Sequence, residues 1–138
     1  MSVRVEVVAP DGEIWSGTAR MVIAKTLDGD IGILTGHPSV LGLLADASLV
    51  RILDVEDGAA DDRAEVRAAV SSGFLAVNDD RVSILVRDAE LGSQVAVPAA
   101  RARLESALAD AGPLPPGEQE PLEVRYSRAV LRAAGDQS

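Results

Sequence analysis

His37 is the only histidine in this 138-residue chain, and imidazole is the side chain whose ordinary pKa lies nearest neutrality. Asp28 and Asp30 stand a few residues before it. A histidine–carboxylate pair for general acid/base work is therefore the first chemistry to weigh. Such work needs a positioned partner and a pocket, and no Ser-His-Asp spacing or second histidine supports one. The pattern favours a turn residue hydrogen-bonded to backbone. Gly29, Gly32 and Gly36 raise phosphate cradling, but a P-loop needs Gly-Lys-Ser/Thr ahead of a helix. Here His37-Pro38 follows Gly36 and turns the chain instead. Glu56, Asp57, Asp61 and Asp62 raise a calcium loop, yet they lack the alternate-position ligands and closing Glu of an EF-hand. A solvated hairpin tip fits them better. Arg125, Arg128 and Arg132 recur at steps of three and four. They read equally as a solvated helix face or as a contact for an acidic partner surface or a nucleotide phosphate.

The histidine sits in a stretch that any fold must accommodate, Gly29-Asp30-Ile31-Gly32-Ile33-Leu34-Thr35-Gly36-His37-Pro38-Ser39-Val40-Leu41. Ile31, Ile33 and Leu34 predict a very short strand, loosened by Gly29 and Gly32. Thr35 to Pro38 predicts a sharp turn, because Pro38 keeps His37 out of the helical region. Leu41, Leu43 and Leu44 are expected to return to a core.

Around that stretch the pattern is one of short strands. Val3, Val5 and Val7 alternate with Arg4 and Glu6, the signature of a half-buried strand. Pro10-Asp11-Gly12 carries turn chemistry. Ile14 to Gly17 and Arg20 to Thr26 read as two separate strands. Leu49 to Val55 and Glu65 to Val70 alternate, with an acidic loop from Glu56 to Arg63 between them. Phe74–Val77 and Val82–Val86 form a hairpin around Asn78-Asp79-Asp80-Arg81. The expected fold of residues 1–88 is an antiparallel β-sandwich of about ten short strands. Residues 89–138 change character. Gln94 to Ala111 has helical spacing, with Val97, Ala100, Leu104, Leu108 and Ala111 on one face. Pro98 suits its first turn, and Gly112 to Gly117 ends it. Pro121 opens a second helix to about Ala134, with Leu122, Tyr126, Val130 and Ala133 on its apolar face. The expected tail is a two-helix hairpin, too short to stand alone.

Composition narrows the function. Aromatic residues make up 2% of the chain, so the core must be aliphatic. There is no cysteine and one histidine, which excludes disulfides, thiolate zinc sites and multi-histidine metal centres. A net charge of −9 argues against nucleic acid and against anionic lipid. No run approaches the roughly 20 apolar residues of a membrane span. The last helix is locally basic, with three arginines and only Glu123 between positions 121 and 134. On the residues alone, a free-standing β-sandwich binding module remains an alternative.

The loop resembles the signature of the epsilon subunit of rotary, proton-translocating ATP synthases. That signature is Gly-Glu-hydrophobic-Gly-hydrophobic-x-x-Gly-His-x-x-hydrophobic-Leu. Gly29, Gly32, Gly36, His37 and Leu41 match it, and Asp30 stands at the acid position. Ser71-Ser72-Gly73-Phe74 to Val77, then Val82 to Val86, resembles that family's Ser-Gly-Gly hairpin, with Ser72 in place of the first glycine. Trp15-Ser16-Gly17 resembles its aromatic-Ser-Gly turn. The three motifs occur in the family's order, and the resemblance covers about residues 3–90.

The resemblance implies a non-catalytic rotor subunit with no cofactor, lying peripherally on the cytoplasmic face of a bacterial cell membrane and reaching the membrane only through the complex. It implies that the sandwich sits on the central-stalk gamma subunit and on the ring of c subunits. Asp30, Ile33, Gly36, His37 and Leu41 would form that interface. The helices are expected to reach the catalytic alpha and beta subunits through Arg125, Arg128 and Arg132 and so hinder ATP hydrolysis. Some family members bind ATP through Ile/Leu-Asp-x-x-Arg-Ala. Here Val97-Pro98-Ala99-Ala100-Arg101-Ala102 keeps Arg101 but has Pro98 for the acid. Weak or absent ATP binding is expected, with Arg101 the remaining contact candidate.

Overall fold

The computed structural model of the chain describes residues 1–58 and 65–135. Nine strands come first among these residues: β1 Val3–Ala9, β2 Gly12–Thr26, β3 Gly29–Ile33, β4 Val40–Leu43, β5 Ser48–Gly58, β6 Glu65–Val70, β7 Gly73–Asn78, β8 Arg81–Val86 and β9 Ala89–Leu91. A 3-10 turn, Gly92–Gln94, leads to α1 Val97–Ala111 and α2 Leu122–Ala133.

The strands form one sheet in the order β4-β7-β8-β1-β2-β5-β6-β9, with β3 added to β2. Only the β1–β8 pair is parallel. The sheet folds over so that inward residues from both halves share one aliphatic core. Val3, Val5 and Val7 of β1 meet Val22, Ile33, Ile52, Leu75 and Ile84 there, all fully buried. Trp15 is the one large aromatic of this core.

Three expectations change. Gly17 does not divide two strands. It pairs with Val5 on one side and Gly58 on the other, inside a single 15-residue strand β2. A register shift beside it, between Thr18 and Ala19, absorbs the bend without ending the pairing. The sandwich also runs past residue 88, because Ala89 to Leu91 pairs with β6. In the acidic run, β5 continues through Gly58, and Asp61 and Asp62 lie outside the described residues.

A second, smaller core joins the tail to the sandwich. On β6, Ala68 and Val70 face the sandwich core, and Ala69 points the other way, beneath α2. Alanine at this position lets the helix approach the sheet closely. Helix α2 is covered on two sides, by the sheet and by α1, which explains why Ser127 and Ala129 are buried along with Tyr126 and Val130. Helix α1 buries a narrower stripe, Ala100, Leu104 and Ala107, and leaves Leu108 partly exposed. Pro98 does occupy the first turn of α1.

Candidate functional site

The expected interface residues do not stay together. Asp30 lies at the start of β3, its backbone paired with that of Lys25. His37 lies past the other end of the strand, beyond a rise of about 3.3 Å per residue. Their separation leaves no acid/base pair: the His37 ring Nδ1 hydrogen-bonds the Pro38 carbonyl at 2.7 Å. Ile33 is an inward position of β3 and is 0% exposed. It cannot touch a partner, and its place is the core.

Strand parity also revises the fate of the leucines. On β4, Val40 faces the core, so Leu41 and Leu43 two positions apart share the opposite, outer face. Leu41 is 72% and Leu43 60% exposed, and only Leu44 goes inward. On the neighbouring strand Leu43 stands directly across from Phe74, and Leu41 across from Ala76. Residues opposite each other in an antiparallel pair share a face. Leu27, also exposed, donates its backbone N–H to the Leu43 carbonyl at 3.0 Å. Leu41, Leu43, Phe74 and Leu27 therefore form one outward apolar row, running from the His37 loop to the β2–β3 turn. Single exposed leucines are ordinary, whereas an outward apolar row is uncommon on a solvent-facing sheet.

The loop at the head of this row is held in shape. The Leu34 carbonyl accepts the His37 N–H at 3.1 Å, closing a turn in which Gly36 has φ +84°. That left-handed value explains the glycine. The Gly36 N–H donates to the Asp80 carboxylate at 2.7 Å, and Ser39 Oγ bonds Asn78 Oδ1 at 3.2 Å.

The three tail arginines are placed unequally. Arg128 forms two bonds with the Glu120 carboxylate, at 2.9 and 3.0 Å. This pairing holds the Glu120 carboxyl below its usual range. Arg125 donates to the Glu120 carbonyl at 2.9 Å. Arg132 is exposed. Arg125 and Arg132 line a cleft of about 700 Å³ beneath α2 together with Lys25, Arg51 and Asp30. The folded hairpin thus leaves Asp30 on the same cleft as Arg125 and Arg132. Arg101 lies on the exposed side of α1.

A second cleft separates the β1–β2 turn from the helices. Across it Arg103 of α1 bonds Glu90 of β9 at 3.0 Å and lies 6.0 Å from the Tyr126 ring centre. The Tyr126 hydroxyl is buried with no hydrogen-bond partner among the described residues. Burial first, and the facing Glu90 carboxylate second, raise its pKa well above the ordinary phenol value. No group of three or more metal-ligating side chains occurs among the described residues. No helix there is long and apolar enough to cross a membrane.

Sequence reasoning found the loop and missed most of the row. Leu43 and Phe74 could have been found by counting parity from Val40 and Leu75, whereas Leu27, in the β2–β3 turn, lies outside both strands. Asn78 and Asp80 carried no signal beyond turn chemistry.

The chain is similar to known proteins over most of its length. Residues 2–92 match the family described as ATP synthase, Delta/Epsilon chain, beta-sandwich domain. The chain is 48% identical over 131 residues to the ATP synthase epsilon chain of Thermobifida fusca, covering 94% of this chain and 90% of that one. It is 38% identical over 131 residues to the epsilon chain of Mycobacterium avium, covering 95% and 93%. A chain in the solved Euglena gracilis mitochondrial ATP synthase shares the fold, with a TM-score of 0.66 at 20% identity, over 97% of this chain and 79% of that one.

Proposed function

This chain belongs to the ATP synthase epsilon-chain family, and from that membership we propose that it is a central-stalk subunit that couples rotation to ATP synthesis without catalysing a reaction itself. The observation that carries the reading is the outward apolar row of Leu41, Leu43, Phe74 and Leu27. Each such side chain contributes about 1.5–3 kcal/mol when fully buried, so covering the row gives a rigid sandwich a firm seat. The partner at the row is the gamma subunit. The His37 loop at its head meets the ring of c subunits. The chain is then peripheral to the membrane, on the cytoplasmic side, and held there by the complex.

The tail arginines support a narrower regulatory role than the resemblance implied. In the folded hairpin Arg125 and Arg128 already bond Glu120, which leaves Arg132 as the exposed cation of the three. A contact of all three with the alpha and beta subunits therefore requires the Glu120 clamp to open first. ATP binding is weak or absent in this reading, because Pro98 supplies neither a carboxylate nor an N–H at the start of α1.

The test is a pull-down of the tagged chain from the source cell's membrane extract, with partners identified by mass. Recovery of gamma, alpha and beta subunits is expected. A clean monomer would overturn the rotor reading in favour of a free-standing binding module.

A further inference from the structure

The loop that carries His37 is far in sequence from the β7–β8 turn, yet the two are joined. Gly36 N–H meets Asp80 Oδ1 at 2.7 Å across 44 residues of sequence. Ser39 and Asn78 make a parallel link at 3.2 Å. Asp79 and Asp80 both hold positive φ, 51° and 61°. That pair of values marks the tight hairpin turn whose twist matches the flanking strands. Asp80 is itself fixed from behind, because its carbonyl accepts the Arg4 N–H of β1 at 2.8 Å. A carboxylate held by a rigid turn thus reaches across to an otherwise free loop amide.

We infer that Asp80 is a positioning residue for docking: it fixes the Thr35–Pro38 turn in its partner-ready shape before contact is made. This rests on the docking role proposed above for the loop. The physical reason is entropic. Ordering a loop on contact subtracts from binding free energy, and a loop ordered in advance avoids that loss. Asp80 touches no partner in this account and acts only through Gly36. The link also has a specific side-chain requirement. The residue must tolerate the left-handed region and offer an acceptor oxygen. Asp and Asn satisfy both conditions, and Gly satisfies only the first.

Three variants of the full chain separate these requirements. Asp80→Asn keeps φ and acceptor, Asp80→Gly keeps φ alone, and Asp79→Gly alters the neighbouring turn residue, which makes no side-chain bond to the loop. Two readouts are taken: the Gly36 amide shift and exchange rate in the free chain by NMR, and affinity for ATP synthase stripped of its own epsilon chain. In Asp80→Gly, Gly36 exchange is expected to speed up about tenfold and affinity to fall by about the same factor. Asp80→Asn and Asp79→Gly should stay within about twofold of the parent. An unchanged Gly36 amide in Asp80→Gly overturns the inference, as does unchanged affinity in that variant, or an Asn variant that behaves like Gly. If the parent chain itself fails to rebind the stripped complex, the docking reading falls, and the Gly36 amide still decides whether Asp80 shapes the loop.

Discussion

Gly92 lies against the Ala133 carbonyl so closely that a Cβ at position 92 would overlap the oxygen. The contact joins the last turn of α2 to the 3-10 turn that leaves the sandwich, and it explains the glycine by space alone. Gly92→Ala must push backbone away from backbone, since no flexible side chain can give way. It is expected to destabilise the chain by about 1–3 kcal/mol, measured by denaturant unfolding. Hydrogen exchange should quicken first at residues 130–134, with β1 and β8 unaffected.

Ile33 and Leu41 lie eight residues apart and have opposite duties. Ile33→Ala opens a cavity in the sandwich core and is expected to destabilise by about 2–5 kcal/mol. Leu41→Asp changes an outward side chain and should move stability by no more than about 1 kcal/mol. The same substitution should weaken rebinding to the stripped complex at least tenfold, about 1.4 kcal/mol. Unfolding curves and rebinding titrations on both variants check the assignment.

Much of the sandwich was legible because period-two alternation follows from strand geometry and survives in sequence. Val3 to Val7, Glu65 to Val70 and the Asn78–Arg81 hairpin all read correctly for that reason. Leu43 misled, as did Leu41 in its expected return to the core, because residue type does not reveal which face is covered. In β4 the face is set by pairing with β7, where Leu75 and Val77 point inward. Gly17 misled because a glycine can mark a bend inside a paired strand as well as a break between strands. The three arginines looked equivalent by spacing. Glu120 lies before α2 begins and takes two of them, which helical periodicity does not show. The Gly36–Asp80 link is tertiary and has no local signature.

Tyr126 predicts an alkaline limb. Its folded pKa is raised above the unfolded value of about 10, so its contribution is full below pH 10 and fades as pH rises past it. Stability should therefore decline above about pH 10. Tyr126→Phe keeps the ring in the second core and removes a hydroxyl without a partner. At pH 7 it should change stability by less than about 1 kcal/mol, and the alkaline decline should flatten. Urea unfolding across pH 7 to 11 tests both statements.

Glu120 predicts an acid limb of opposite sign. Its folded pKa is lowered, chiefly by the bond from Arg128. The contribution is present above the unfolded value of about 4.3 and is lost as pH falls through the folded one. The two side chains are 31% and 33% exposed, so the pair contributes at most about 1 kcal/mol. Glu120→Gln should lower stability by that much at pH 7, and the deficit should shrink as pH falls below the unfolded value. A deficit independent of pH would assign the effect to packing.

The absence of cysteine allows the docking face to be tested directly. Leu41→Cys on the outward row and Glu105→Cys on the exposed side of α1 would each carry a photoreactive label. After rebinding to the stripped ATP synthase, the crosslinked partner is identified by mass. The account predicts that the Leu41 position captures a rotor subunit, gamma or c, and that the Glu105 position captures neither. Rotor crosslinks from Glu105 with none from Leu41 would contradict it, and the seat of the sandwich would have to be sought on another face.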